Sequence, residues 1–176
     1  MLETLETPRL YLRKMTVADT NEVFENWTSS ENVAKYLTWA PHTSIEVTKE
    51  YLTAEEENRD EGWGIVLKET GQLIGNIAVI EDKRKIKTKI LGYVLGEKFW
   101  NHGYMSEALF KVIDFLFETT DVNRIEAEHD TKNPNSGKVM AKAGMTFEGV
   151  LREAGYNNQG IVDVAYYSIL RSDRKA

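Results

Sequence analysis

The pattern of apolar and polar positions switches period most sharply between Lys89 and Leu116, KILGYVLGEKFWNHGYMSEALFKVIDFL. Ile90-Leu91-Gly92-Tyr93-Val94-Leu95 is almost continuously apolar, as a strand buried on both faces should be. Met105, Ala108, Leu109, Val112 and Leu116 then recur at helical spacing, with Glu107, Lys111, Asp114 and Glu118 on the other side. Gly103 stands just before the first helical turn, where it lets another group approach the backbone. The unpaired amides of that turn make a donor-rich, positive pocket suited to an anion, above all a phosphate.

The remaining elements follow from the same periods. Arg9-Leu10-Tyr11-Leu12-Arg13 alternates as a strand, and Thr16-Val17-Ala18-Asp19 resembles a capping box opening a helix to about Trp27. Trp27 to Pro41 mixes aromatics with turn formers and reads as short helical turns and loop, either a lid on the core or the lining of a cleft. Thr43 or Ser44 caps a helix to about Arg59, with Glu55, Glu56 and Glu57 as a solvated face. Gly62–Leu67 and Leu73–Ile80 form a hairpin across Glu69-Thr70-Gly71-Gln72, and the polar, lysine-rich stretch Glu81 to Lys89 reads as a longer turn. Asn123 to His129 is a strand, and a helix between two such strands makes a βαβ unit with parallel strands. That places the helix N-terminus at a strand's C-terminal end, where open α/β sheets bind ligands. Asn133-Pro134-Asn135-Ser136 opens a helix, Gly137 to Ala143, with Gly144 at its C-terminal cap. Met145 to Tyr156 and Ile161 to Leu170 form a last hairpin across Asn157-Asn158-Gln159-Gly160.

A chain of 176 residues with 41% hydrophobic content fits one domain, 1–176, with a sizeable core. Zero cysteines exclude disulfides, thiolate metal sites and a cysteine nucleophile, and point to a reducing cytoplasm. Three scattered histidines, His42, His102 and His129, argue against a zinc cluster, so no metal is expected. No apolar run approaches the roughly 20 residues that span a bilayer, and the N-terminus lacks the pattern of a signal peptide. A net charge of -6 disfavours nonspecific nucleic-acid binding and suits a cationic partner such as an amine.

The order of elements, with Leu91-Gly92-Tyr93-Val94-Leu95, Phe99 to Ala108, Asn133-x-x-Ser136 and Lys142-x-Gly144-Met145-x-x-Glu148-Gly149, resembles the GNAT superfamily of acetyl-CoA-dependent N-acetyltransferases. It is most similar to the RimJ/RimL type, which acetylates protein N-termini. The resemblance covers nearly the whole chain and implies an α/β (α+β) fold: a single mixed, mostly antiparallel sheet with a central splayed parallel strand pair and flanking helices. It also implies acetyl-CoA as cosubstrate. The family's pyrophosphate loop, Gln/Arg-x-x-Gly-x-Gly/Ala, falls on Trp100, Gly103 and Met105; only the glycine matches, but backbone amides from Trp100 through Asn101, His102, Gly103, Tyr104, Met105 and Ser106 carry the binding. By the same resemblance Tyr93, Val94 and Leu95 pair with the pantetheine arm, and Asn133 and Lys142 contact the cofactor.

Many members carry a tyrosine seven residues after that asparagine, as the acid for the leaving thiolate; Met140 stands there and has no proton to donate. Ser136, on the serine position associated with the thiol in RimL-type enzymes, is its substitute or else a helix-start cap. For the base, Glu126 and Glu128 share one face of their strand, opposite Ile125, Ala127 and His129, and Glu128 lies nearer the C-terminal end. A merely exposed carboxylate, His129, or a water chain serving an α-amine of pKa near ~8 are the alternatives. The acceptor is a protein N-terminus such as that of a ribosomal protein, or a small amine; a CoA-binding module without catalysis is a third reading, and the chain is a monomer or homodimer.

Overall fold

The computed structural model describes residues 2–58 and 60–174, so the expected helix end at Arg59 lies outside the described residues. In order these form β1 (Leu5–Glu6), β2 (Leu10–Arg13), an irregular helical segment from Val17 to Thr28 that contains α1 (Thr20–Val23), α2 (Glu31–Ala34), α3 (Ile45–Asn58), β3 (Gly62–Leu67) and β4 (Leu73–Lys83). They continue with β5 (Thr88–Leu95), α4 (Tyr104–Thr119), β6 (Arg124–Asp130), α5 (Pro134–Lys142), β7 (Thr146–Asn157) and β8 (Gly160–Leu170). The capping box is real: the Thr16 amide donates to the Asp19 carboxylate at 2.8 Å, and Arg13 grips the same group through two N–H donors.

All eight strands join one sheet in the order β1-β2-β3-β4-β5-β6-β8-β7, and only β5 and β6 run parallel. Their register covers Thr88↔Arg124, Lys89↔Ile125 and Ile90↔Glu126, then stops. Beyond it β5 stays paired with β4 as far as Leu95↔Gly75, and β6 stays paired with β8 as far as Asp130↔Val164. Each strand keeps its outer neighbour and loses its inner one, which opens a notch in the middle of the sheet. A bulge at Ile80, where the β4–β5 register shifts between Val79 and Glu81, lies beside the point of divergence and adds local twist there.

Glu81 to Lys89 is not one long turn. Glu81, Asp82 and Lys83 continue β4 and pair with Ile90, Lys89 and Thr88, leaving Arg84 to Lys87 as the turn. Ion pairing explains how so polar a stretch holds a strand: Lys89 is 8% exposed and its ammonium meets Glu61 and Asp82, while Lys83 meets Glu126. Lys83 ends β4 and Lys89 lies at the start of β5, both at the far end of β5 from the loop before α4.

The sheet's two faces are covered unequally. On one, α4 and α5 lay Met105, Leu109, Val112, Leu116 and Met140 on Leu91, Ile125 and Ala127. On the other, the helical segments before β3 pack Val23, Trp27, Val33 and Leu52 on Val66 and Leu73. This second cover lies over the β3–β4 end of the sheet, and beyond it Glu128 on β6 is exposed.

The end of β8 is locked to the other end of the α4–β6 connection by Arg171, whose guanidinium donates to the carbonyls of Phe117, Thr120 (2.8 Å) and Val122 (3.0 Å from Nε). Removing it strands three half-buried carbonyls, so Arg171→Ala is expected to lower unfolding stability by about 2–3 kcal/mol, with Arg171→Lys recovering less than half because an ammonium lacks the planar fork. Urea unfolding of the three proteins measures this.

Candidate active site

The phosphate end of the site grows from the loop between β5 and α4. Gly103 adopts φ 79 immediately before α4, and Asn101 also lies in the left-handed region at φ 64. That winding turns the chain so that the first-turn amides of Tyr104, Met105 and Ser106, which have no acceptor within the helix, face outward. The loop is stiffened at every step. The Trp100 indole donates to the Leu95 carbonyl at 2.8 Å, and His102 Nδ1 donates to the Trp100 carbonyl at 2.7 Å. Arg9 donates to the His102 carbonyl at 2.9 Å, and its guanidinium lies 4.6 Å from the Tyr104 ring centroid. Trp100 thus acts as a structural brace of the loop, and the first-turn amides stay exposed beside it. Lys142, exposed at the end of α5, lies at the rim of this region.

Glu107 is the anchor beneath the loop. Its carboxylate accepts from the Thr7 hydroxyl at 2.6 Å, the Arg9 amide at 3.0 Å and the Arg9 guanidinium at 2.7 Å. It therefore ties β2 to the first turn of α4.

The notch supplies the middle of the site. The Gly96 amide bonds back to the Ile74 carbonyl, so strand alternation aims the amides of Tyr93 and Leu95 away from β4 and into the gap, while that of Val94 faces β4. On the α5 side of the sheet the Tyr93 hydroxyl lies 2.8 Å from Ser136 Oγ and 3.1 Å from the Ser136 carbonyl. Burial pushes the Tyr93 phenol well above its ordinary range, so it stays protonated. Helix α5 starts at Pro134, earlier than the pattern suggested, because proline suits the first helical position. Asn133 spends no side-chain bond on capping it. Gly137 permits the close approach: a Cβ there would stand 2.7 Å from His129 Nε2 and 3.0 Å from the Tyr167 hydroxyl. Met140 is buried in the core, 1% exposed.

Through the notch the space continues to the other face of the sheet, as one cavity of about 1390 Å³. There it is lined by Asn76 on β4, Tyr51 and Glu55 on α3, and Trp39 and His42 before it. The segment from Trp27 to Pro41 therefore both covers core, through buried Trp27, and walls the cleft. Glu55 belongs to that wall and Glu56 accepts from the Val17 amide at 3.0 Å, so the acidic run is not a merely solvated face. Glu128 lies on this side too, exposed and accepting from the Tyr166 hydroxyl, which that carboxylate and burial push up to about 12. Glu126 is held by Arg124 and Lys83. His129 lies on the opposite face, its Nδ1 donating to the Asp130 carbonyl at 2.7 Å. Sequence reasoning missed Asn76 and His42 as site residues, because each is brought to the cavity by contacts between distant segments. The Asn76 side chain is 8% exposed and has no hydrogen-bond partner among the described residues. At the outer edge, Asn158 in the β7–β8 turn donates to the carbonyls of Ala34 and Trp39, each at 2.8 Å, and its amide to that of Leu37. The two flanks of the acceptor side are thereby bridged.

Among the described residues no group of side chains is placed to hold a metal ion, and no helix is long and apolar enough to cross a membrane.

Residues 9–146 match the family model described as the acetyltransferase (GNAT) domain, and the chain belongs to that family. It is 31% identical over 176 residues, 98% of each chain, to the uncharacterized N-acetyltransferase p20 of Bacillus licheniformis. The crystal structure of a GNAT-family acetyltransferase from Bacillus anthracis matches with a TM-score of 0.87 at 27% identity, covering 97% of this chain and 99% of that one. The fold also matches RimL, the ribosomal L7/L12 α-N-protein acetyltransferase solved with coenzyme A, with a TM-score of 0.84 at 21% identity over 96% and 98% of the two chains. The protein is an acetyl-CoA-dependent N-acetyltransferase, and its mixed sheet with one splayed parallel pair is the expected fold.

Burial works against the Glu107 charge, but the Thr7 hydroxyl and the Arg9 amide and guanidinium outweigh it and hold the carboxyl below the usual carboxylate range. A depressed native pKa means that the unfolded chain takes up its proton first as pH falls, so this contribution is present above about pH 4 and lost below it. Glu107→Gln is expected to lower stability at pH 7 by about 1 kcal/mol, with the gap to wild type closing as the wild-type carboxyl titrates. Thermal unfolding of both proteins between pH 7 and pH 3 checks the sign.

Proposed function

We propose that the protein transfers the acetyl group of acetyl-CoA to the N-terminal α-amine of a protein, such as a ribosomal protein, in the cytoplasm. The observation that carries this reading is the bridged acceptor side. Asn158 joins the β7–β8 turn to the segment 34–39, leaving a passage that accepts a chain end more readily than the flank of a folded surface. RimL, of the same fold, is an α-N-protein acetyltransferase, which supports the same choice.

The residues fit the cosubstrate. The exposed amides of Tyr104, Met105 and Ser106 suit its pyrophosphate, the free edge of β5 from Tyr93 to Leu95 suits its amide-bearing arm, and uncommitted Asn133 is a further donor. The Leu95 amide, aimed into the notch, polarises the thioester carbonyl and stabilises the oxyanion formed on amine attack. As the C–N bond forms and the C–S bond breaks, Ser136 donates its hydroxyl proton toward the sulfur, and the Tyr93 hydroxyl, which at rest donates to the Ser136 carbonyl, turns its proton to the Ser136 oxygen 2.8 Å away. Tyr93 thus stands in space for the phenol that is absent at position 140. Glu128, on the opposite side of the sheet, attracts the acceptor ammonium.

Thiol release from acetyl-CoA is measured with peptides beginning Ser, Ala, Thr or Met, and with polyamines, amino acids and aminoglycosides. Turnover on peptides is expected; turnover on small amines alone moves the assignment to metabolite acetylation, and silence throughout favours a CoA-binding module. Ser136→Ala is expected to lower kcat about 100-fold and Tyr93→Phe about tenfold, whereas Glu128→Gln raises the acceptor KM with little change in kcat.

A further inference from the structure

The acceptor side of the cavity contains an imidazole to which the transfer described above gives no task. His42 follows the segment that walls the cleft, and its Nδ1 lies 2.7 Å from Thr48 Oγ1 at the start of α3. Thr48 Oγ1 is in turn 2.9 Å from Thr28 Oγ1, and the Thr28 hydroxyl donates to the Val23 carbonyl at 3.2 Å. A hydroxyl has one proton. Thr28 spends its proton on Val23, so the proton between the two threonines belongs to Thr48. Thr48 therefore has only a lone pair to offer His42, and the ring proton must sit on Nδ1. Thr28 and Thr48 are 1% and 0% exposed, so no water reorders the chain. The result is a neutral imidazole locked with Nε2 as the free lone pair, the form a base requires. The ring is positioned by Trp39 at 5.7 Å and Tyr51 at 5.8 Å between centroids, and all three line the cavity.

The other nominees are less free. Glu126 is held by two cations, Glu128 carries the Tyr166 hydroxyl, and His129 lies on the far face of the sheet with Ser136.

We propose that His42 is the general base of the transfer, accepting at Nε2 the proton that the acceptor nitrogen loses as it attacks the thioester carbonyl. This rests on the acetyl transfer proposed above. The step balances without a further reagent: the C–N bond forms, the C–S bond breaks, the sulfur takes a proton from Ser136, the Ser136–Tyr93 pair regains one from solvent, and the imidazolium returns its proton to solvent. Burial lowers the proton affinity of His42 below that of an ordinary imidazole, so it stays an acceptor on the acid side of neutrality. The titratable groups that line this cavity beyond the sheet's α4–α5 side are Tyr51 and Glu55 from α3, Tyr36 from the preceding segment, Glu128 and Asp130 from β6, the latter held by the Asn157 amide, Lys132 after it and Tyr156 from β7.

The test uses the full chain, a Ser-starting peptide and spermidine as acceptors, and His42→Gln, His42→Ala and Thr48→Val. His42→Gln is expected to lose about 100-fold in kcat/KM at pH 7 with the acetyl-CoA KM unchanged, to lose the acid limb of the pH profile, and to recover rate as rising pH deprotonates the amine. Added imidazole is expected to rescue His42→Ala. Nitrogen-15 NMR of the wild type is expected to show the Nδ1–H tautomer, giving way to a mixture in Thr48→Val. An active wild type with His42→Gln within threefold of it, or an Nε2–H tautomer in the wild type, overturns the proposal while leaving acetyl transfer intact. A wild type inactive on both acceptors and on the wider panel overturns the transfer itself and His42 with it.

Discussion

The molecule depends on the failure of β5 and β6 to pair beyond Ile90↔Glu126. Two adjacent parallel strands ordinarily satisfy each other's amides and carbonyls, and buried groups left unpaired cost about 1–3 kcal/mol each. The expense is contained because each strand remains fully paired on its outer side, β5 with β4 and β6 with β8. The unpaired edge is therefore held rigidly in place and solvated until a ligand with its own amides occupies it. A site of this kind needs a backbone position more than particular side chains, which is why the amides of Tyr93 and Leu95 can face the notch while their side chains pack as an ordinary apolar strand.

From that opening the rest of the site follows by layer. The helix α4 begins where β5 ends, so its unpaired first-turn amides sit beside the notch, and Arg9 with Glu107 fixes the turn against β2. Helix α5 reaches the other lip because Gly137 has no Cβ to strike His129 or Tyr167. A positive, backbone-rich turn and a hydroxyl pair at the lips of the notch are consequences of two helix starts meeting one gap.

The sheet also separates the two halves of the chemistry. Ser136 and Tyr93 lie on the α4–α5 side, while Glu128, Asn76 and the aromatic wall of Trp39 and Tyr51 lie on the other, with the notch as the passage between them. In the transfer proposed above, the acceptor and the leaving sulfur therefore meet different segments of the chain. The bridge from Asn158 to Ala34 and Trp39 shapes that acceptor side alone.

Most of the fold was legible in the chain because its elements are locally encoded. The apolar run at Ile90–Leu95, the helical stripe from Met105 to Leu116, the left-handed Gly103 and the proline and glycine that bound α5 each express a preference of nearby backbone. The stretch from Glu81 to Lys89 misled because its polarity is answered by Glu61 and Glu126, far away in sequence. The candidate site divides along the same line. Motifs adjacent in sequence, Trp100 to Ser106 and Asn133 to Ser136, could be nominated from the chain, and both line the cavity. The Tyr93–Ser136 pair, the Glu107 anchor, the Asn76 amide and the His42–Thr48–Thr28 chain did not, because each joins residues from different elements. By itself the sequence determined which elements form and marked the turn before α4 as a candidate for an anion; tertiary structure alone decided which side chains meet across the notch, since distances between segments are set by packing and not by spacing along the chain.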